Sequence, residues 1–573
     1  MGNKQSNIER YRLLQHQVPY MSRDKFAKEA LLQFIDDLYH ETTITLYVNG
    51  ATGDDNYPGL AAAKPKATIQ GAVNALPRDF VAAYIVTALG TYAENVVVTK
   101  PSTGTIYFCG TAATPIDTDT LGAACYDSTP AASVTGWHQM TMAGFFTVAN
   151  TTEASWVRVT WAAGNYEWMK VLNRISDNIA ELGGSLPAGK ADADYDTLAV
   201  ALVQPGTIVN PVTGPAFTIY DSPGGSTGSV VFGMMKTVGD TYGIQVVGKV
   251  SGIYAVLCSI TADKAASAGF YMDEESDVGL GYLPAYPSTF NTLLGIGTQA
   301  AVPREGVYLG GGAGGYSILS SAGRTYLGTA YCKSAAVFAG GKVLLGGTGQ
   351  TFESTVNFAG DAYVAAAAAT VPTRCESTVT AEDFSKFDFG IFDGKTAATA
   401  NQMTLTDYAK GKISGVSGIS QSHVSAWLQM SRSAELDIAG VTVASALPAN
   451  LAVSVLENAK LYITNFTGPT QDYGATPLIQ ASGPGAQLNI VAAAWKNSNA
   501  GVIEGVAALA GAHYTIGSTA GVAIVSSDDK RYAQVGCLAA KVDINAYGAG
   551  TYLNDLPVAP AGVEHLSVLR VVA

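Results

Sequence analysis

Two aspartates and a lysine come closest to a catalytic set in this chain. Asp388, Lys412 and Asp437 occupy the same place in successive copies of a repeated phrase. If the copies stack one strand apart, the two carboxylates lie two coils, or about 9.6 Å, from each other. That is near the upper limit for an inverting glycosidase pair. Lys412 would sit between them, and a cation wedged between two carboxylates favours both ionised forms, the opposite of what a general acid requires. The trio therefore reads as a structural charge ladder.

Other chemistry-like spellings fail on context. Residues 310–315 read GGGAGG, but a dinucleotide fingerprint needs a helix next, whereas YSILSS follows and another copy of the repeat begins at Gly323. The spelling GGSTG from Gly224 suits a nucleophile elbow, yet it follows Asp221-Ser222-Pro223, a turn where a strand is needed. The acidic clusters Asp273-Glu274-Glu275-Asp277 and Glu382-Asp383 are dense enough for calcium or a sugar, but adjacent acids more often line a solvated turn. The six histidines are scattered, and the six cysteines show no metal-ligand spacing. No residue is assigned a catalytic or metal-binding role, and no cofactor is expected. The cysteines read as reduced core thiols, with a Cys109–Cys125 disulfide as the alternative.

The repeated phrase is the element that positions everything else. Eleven copies run from EGVYL at Glu305 to AKVDI at Ala540, among them GRTYL from Gly323, GDAYV from Gly360, AELDI from Ala434 and AKLYI from Ala459. Their template is small, polar, usually apolar, variable, apolar, and successive starts lie 18 to 28 residues apart. Self-similarity at that period marks a solenoid. Alternation within five residues is the two-residue period of a strand. A coil of this length holds two or three short strands, which stack about 4.8 Å apart as parallel sheets. Leu436, Leu461, Leu488 and Tyr514 are expected in one inner column, and Ile438, Ile463, Ile490 and Ile516 in the next. On the outside, the fourth position reads Tyr308, Tyr326 and Tyr363 among others, an aromatic strip suited to subunit packing or to sugar rings.

Composition agrees with a long rod. Only 14% of residues are charged and Gly numbers 63, as coils with apolar interiors and tight corners require. The net charge of −13 argues against nucleic acid as a partner. No apolar run is long enough for a membrane span, and the polar start MGNKQSNIERYR is no secretory signal, so synthesis in a cytoplasm is expected.

Four regions follow. Residues 1–42 form a helical arm whose Phe26, Leu31, Phe34, Ile35 and Leu38 share one apolar face. That face either closes the first coil or docks onto another protein. Residues 43–110 cap and begin the solenoid. Residues 111–250 lose the periodicity, hold Trp137, Trp156, Trp161 and Trp168, and read as widened coils or a β-rich insertion. Residues 251–573 are regular coils with a short C-terminal cover.

The most specific stretch is LYVNGATGDDNYPGLAAAKPKATIQGAVNALP from Leu46. A strand, a Gly/Asp/Asn loop and an amphipathic helical segment ending at Pro77 follow from its turn and periodicity signals. Tyr47-Val48-Asn49, Gly53-Asp54-Asp55-Asn56, Gly59, Pro65, Thr68-Ile69-Gln70 and Ala72-Val73 resemble the leading segment of pectin-lyase-like right-handed parallel β-helices, especially bacteriophage tailspikes and related virion appendages. The likeness covers about thirty residues of the chain. It implies an all-β, right-handed parallel β-helix with a short N-terminal α-helical arm, in which the helix after the loop caps the first coil. It also implies a structural attachment protein of a phage particle, made as a homotrimer. Residues 1–42 would anchor it to other virion proteins, and the rod would contact host surface polysaccharide. A polysaccharide depolymerase on the same scaffold and a head-decoration fibre without a receptor are the alternatives. Neither nucleic acid nor membrane insertion is implied.

Overall fold

The computed structural model describes residues 43–572, leaving out intervals of which those longer than six residues are 281–306, 312–318, 444–452, 472–478, 498–505, 527–534 and 546–567. Between 273 and 336 and beyond Leu488 the description is of backbone alone. The anchoring residues expected at Phe26, Leu31, Phe34, Ile35 and Leu38 lie outside the described residues.

The fold is a parallel β-solenoid. Its strands form a 24-stranded and a 14-stranded sheet, both parallel, and a separate 7-stranded sheet is antiparallel. Three stacks of strands run the length of the rod. The first passes from Thr43–Val48 through Ala82–Thr87 and Thr105–Cys109 to Ser229–Gly233 and onward. The second begins Gly90–Tyr92, Thr207–Val209, Met235–Gly239. The third begins Val96–Thr99, Phe217–Tyr220, Tyr242–Val247. Long strands such as Arg324–Cys332 and Lys342–Phe352 turn the corner from the first stack to the second, which merges these two into one sheet.

Alternate side chains point inward and build one core from Ile44 to Leu488. Leu436, Leu461 and Leu488 follow one another in register and are buried, as are Ile438 and Ile463. The backbone register continues to Tyr514 and through Ile490 to Ile516, as the repeat requires. Phe387 and Phe389 extend the same two columns upward. The third position is Gly411 in the next coil, where an added Cβ would meet the Phe387 ring at 2.1 Å. The ring fills the place of the missing side chain.

The leading segment seals the open end, and Asp55, Thr68, Ile69, Gln70 and Ala72 of the resemblance take part in the seal. Asp55 accepts hydrogen bonds from the Ala67 and Thr68 N–H groups at 3.0 Å and from the Thr68 hydroxyl at 2.7 Å. Burial pushes the Asp55 carboxyl up, but these bonds and the nearby Lys66 charge outweigh it and hold the pKa low. Thr68 in turn caps the short helix Ile69–Asn74 by accepting from the Gly71 N–H. A Cβ on Gly71 would lie 2.2 Å from Asp55 Oδ1, so glycine is required by close approach. Ile69, Ala72 and Leu60 enter the core. Gln70 bonds both the C=O and the N–H of Val97, satisfying the edge of the third stack, and the backbone at Gly59 and Lys66 does the same for Tyr47.

The region 111–250 divides. Its second part, from Thr207, is ordinary solenoid. Its first part leaves the corner after Gly110 through a neck in which Ala113 N–H bonds Gln204 C=O and Gly206 N–H bonds Thr111 C=O. Beyond the neck lies the antiparallel sheet, ordered Asp117–Thr120, Ala199–Val203, Trp156–Ala162, Asn165–Ser176, Ile179–Gly183, Trp137–Thr141, Tyr126–Asp127. One face packs its own core of Val157, Val159, Met169 and Leu202 with Tyr126, Tyr195 and Phe146. The other lays Trp156, Trp168, Ala201 and Val203 on the outside of the first stack, against Tyr84, Tyr107 and Val231. It is an inserted domain, and Trp156 and Trp168 join it to the rod.

Among the described residues no helix is long and apolar enough to cross a membrane. Cys109 and Cys125 are both thiols, so the Cys109–Cys125 disulfide is not formed. Burial pushes the Cys109 thiol up, and that of Cys258 up to about 11.

Candidate functional site

One register position of the first stack can be followed in the backbone along the whole rod, and it faces outward where its side chains are described. Strand pairing aligns Thr45, Tyr84, Tyr107, Val231, Tyr254, Gly279, Tyr326, Leu344, Ala365, Asp388, Lys412, Asp437, Tyr462, Asn489, Thr515, Asp543 and Arg570 in that order. The residue types change along it with what covers it. Beneath the inserted domain the column is apolar, and Tyr84 and Tyr107 stack with ring centroids 4.8 Å apart. From Asp388 to Tyr462 it is polar, with Lys412, Asp437 and Tyr462 exposed.

Asp388, Lys412 and Asp437 hold the register expected of a ladder. Among the described residues, however, no ion pair joins Lys412 to either aspartate. The pairs form one column over, where Lys386, Lys410, Glu435 and Lys460 follow in register. Glu435 accepts from Lys410 at 2.9 Å and from Lys460 at 3.2 Å. The lysine bonds, Lys410 first, hold the Glu435 carboxyl below the usual carboxylate range. The repeat marked these positions as polar but gave no sign that one acid would bridge two lysines.

The three tyrosines expected to form a strip do not share a column. Tyr326 lies in the column above, but Tyr308 belongs to the second stack, opposite Ser259 and Tyr331. Tyr363 pairs with Lys342 and Lys386, one outward column away, with the Lys342 ammonium 5.7 Å from its ring centre. For Tyr363 the cause is a slip of phase. In the coil at Gly360 the small, buried first position is Ala362, and Gly360-Asp361 belong to the preceding turn.

Those turns form a second feature, at the corner between the third and first stacks. Ala362, Ser385, Ala409, Ala434 and Ala459 are fully buried, and each donates its N–H to the carbonyl three residues back. The two residues between have positive φ in every case: Gly360-Asp361, Asp383-Phe384, Asp407-Tyr408, Arg432-Ser433 and Glu457-Asn458. Such turns are of type I′. Successive turns also bond each other, from Phe384 N–H to Asp407 C=O and from Tyr408 N–H to Arg432 C=O. At their second position Phe384 and Tyr408 stand more than half exposed, with rings stacked at 5.0 Å and 5°. Arg432 pairs with Asp407 at 3.3 Å. Sequence reasoning missed this corner because aromatic residues are not turn formers; the flanking Gly-Asp and Glu-Asn dipeptides were the available signal.

Among the described residues no group of three or more His, Cys, Asp or Glu gathers to hold a metal ion. The class defined is thus a capped parallel β-solenoid with one inserted antiparallel domain and an outward charged face. No family model and no curated protein matches the chain. Two solved structures are similar to it in outline. XylC, in the complex structure with xylose, shares 8% identity at a TM-score of 0.21, covering 92% of this chain and 86% of its own. The tailspike protein gp49 from Pseudomonas phage LKA1 shares 11% at 0.23, covering 86% and 78%. At such scores neither likeness carries an argument.

Proposed function

We propose that this chain is a structural appendage of a bacteriophage particle, anchored by residues 1–42, assembled as a homotrimer and presenting its rod to host surface glycans. The observation that supports this best is the sealed first coil. Asp55, Thr68 and Gln70, which belong to the stretch that resembles virion appendages, close the solenoid together with Gly71, and each is fixed by a hydrogen bond or a close contact. A rod sealed at that end holds its shape without a partner there, which leaves residues 1–42 for docking. The exposed first stack, with Glu435 bridging two lysines, is a flat neutralised surface on which a glycan or a second copy can lie.

The test is truncation. Deleting residues 1–42 is expected to leave the β-rich circular dichroism unchanged and to abolish incorporation into particles. Normal incorporation would remove the docking role.

A further inference from the structure

Two coils place an aromatic ring at the second position of their turn, while the polar Arg432 and Glu457 take positive φ at the first position of two others. A type I′ turn favours Gly, Asn or Asp at φ above zero, because other side chains crowd the backbone there. The second turn position obeys in Asp361 and Asn458 and is occupied by a small residue in Ser433. Phe384 and Tyr408 do not obey, at φ 63° and 67°. They gain no burial in exchange, being 57% and 53% exposed. Backbone strain and exposed aromatic surface at one spot point to a use outside the fold.

The geometry of the spot selects the ligand. The two rings stack on each other, so one face of each is occupied. In the next coil the equivalent residue is Ser433, which is too short to fill the level beyond Tyr408. The result is a ledge one coil high with the Tyr408 ring as its roof. Around it stand Asp383, Asp407, Arg432 and Glu457, three carboxylates against one guanidinium that already pairs with Asp407. An aromatic face with carboxylate acceptors beside it fits the C–H face and hydroxyls of a sugar ring. Among the turn residues themselves the carboxylates outnumber the guanidinium, which disfavours an acidic sugar at the ring, and Lys386, Lys410 and Lys460 lie beyond them in the next outward column.

We infer that the ledge at Tyr408, Phe384 and Ser433 binds an uncharged pyranose, a hexose or N-acetylhexosamine unit of a surface polysaccharide. This rests on the glycan part of the function proposed above and adds a place and a sugar class to it. The turn itself supplies clean variants. Phe384→Asn and Tyr408→Asn install the residue that Asn458 already carries in the same turn, so both are expected to fold with an unchanged or higher Tm.

The experiment is saturation-transfer NMR on the full chain with maltohexaose, cellohexaose, chitohexaose and hexagalacturonate. Transfer to the ring C–H protons of at least one neutral oligosaccharide is expected, with none to hexagalacturonate. Tyr408→Asn is expected to weaken it about tenfold or more, the loss that roughly 1.4 kcal/mol produces. The proposal is overturned by transfer to none of the neutral oligosaccharides, by preference for hexagalacturonate, or by undiminished transfer in Tyr408→Asn. A change of oligomeric mass in Tyr408→Asn overturns it too, since the rings would then be a subunit contact. Particle incorporation is measured separately, so a failed ledge leaves the appendage reading standing.

Discussion

Ile463 is 1% exposed and stacks between Ile438 and Ile490, so a charge placed there has neither water nor a partner. Ile463→Asp is expected to cost about 3 kcal/mol or more in denaturant unfolding; a neutral result would mean the register is wrong. Gly411 makes a finer test of the same interior. Gly411→Ala should overpack Phe387 and cost about 1–3 kcal/mol, and Phe387→Leu in the same chain should recover part of that. Glu435 carries part of the pH dependence, alongside Asp55. Its folded pKa is depressed, so it stabilises the fold above the ordinary value of 4.5 and loses that contribution as pH falls through the lower folded value. Its side chain is 38% exposed, which keeps the effect small and sensitive to salt. Glu435→Gln should lower Tm slightly at pH 7 and leave it unchanged near pH 3, and an equal effect at both would contradict the pairing.

At the scale of elements, the inserted domain and the rod are separable in hydrogen bonding and coupled in apolar packing. Thr105–Cys109 pairs directly with Ser229–Gly233, and Gly90–Tyr92 with Thr207–Val209, so both sheets run past the neck uninterrupted. Replacing residues 112–205 by a short glycine link should preserve the β-rich spectrum while baring Tyr84, Tyr107 and Tyr254, with aggregation as the readout. Loss of the spectrum would show that the rod depends on the insertion. The same elements show what could be read in advance. Two-residue alternation in the late coils gave strand type, inner columns and the Asp388-Lys412-Asp437 register, because a slip of one residue would turn every apolar side chain outward. The helix cap was legible because its turn chemistry is local. Coil phase at Gly360 was not, since a glycine in a left-handed turn and a small buried residue look alike in a five-letter template. The insertion stayed ambiguous because its tryptophans answer to partners far away in the sequence, Tyr84 and Tyr107.

At the scale of the whole molecule, the proposed appendage combines a sealed rod, residues 1–42 as its proposed docking segment and an exposed charged face. A homotrimer should weigh three times 59.2 kDa by light scattering; a stable monomer would end that part of the account. If the Asp388 and Asp437 column were catalytic after all, host polysaccharide would release reducing ends or unsaturated sugars, and Asp388→Asn would stop it without unfolding the rod. No such release is expected. The most direct test of the central claim is electron cryo-microscopy of purified phage particles from the host that makes this chain, paired with peptide mass spectrometry of the same sample. The account predicts peptides from this chain in the particles and a projecting β-solenoid rod with residue 43 nearest the particle body. Particles that lack the chain, with the protein free in the lysate, would contradict it.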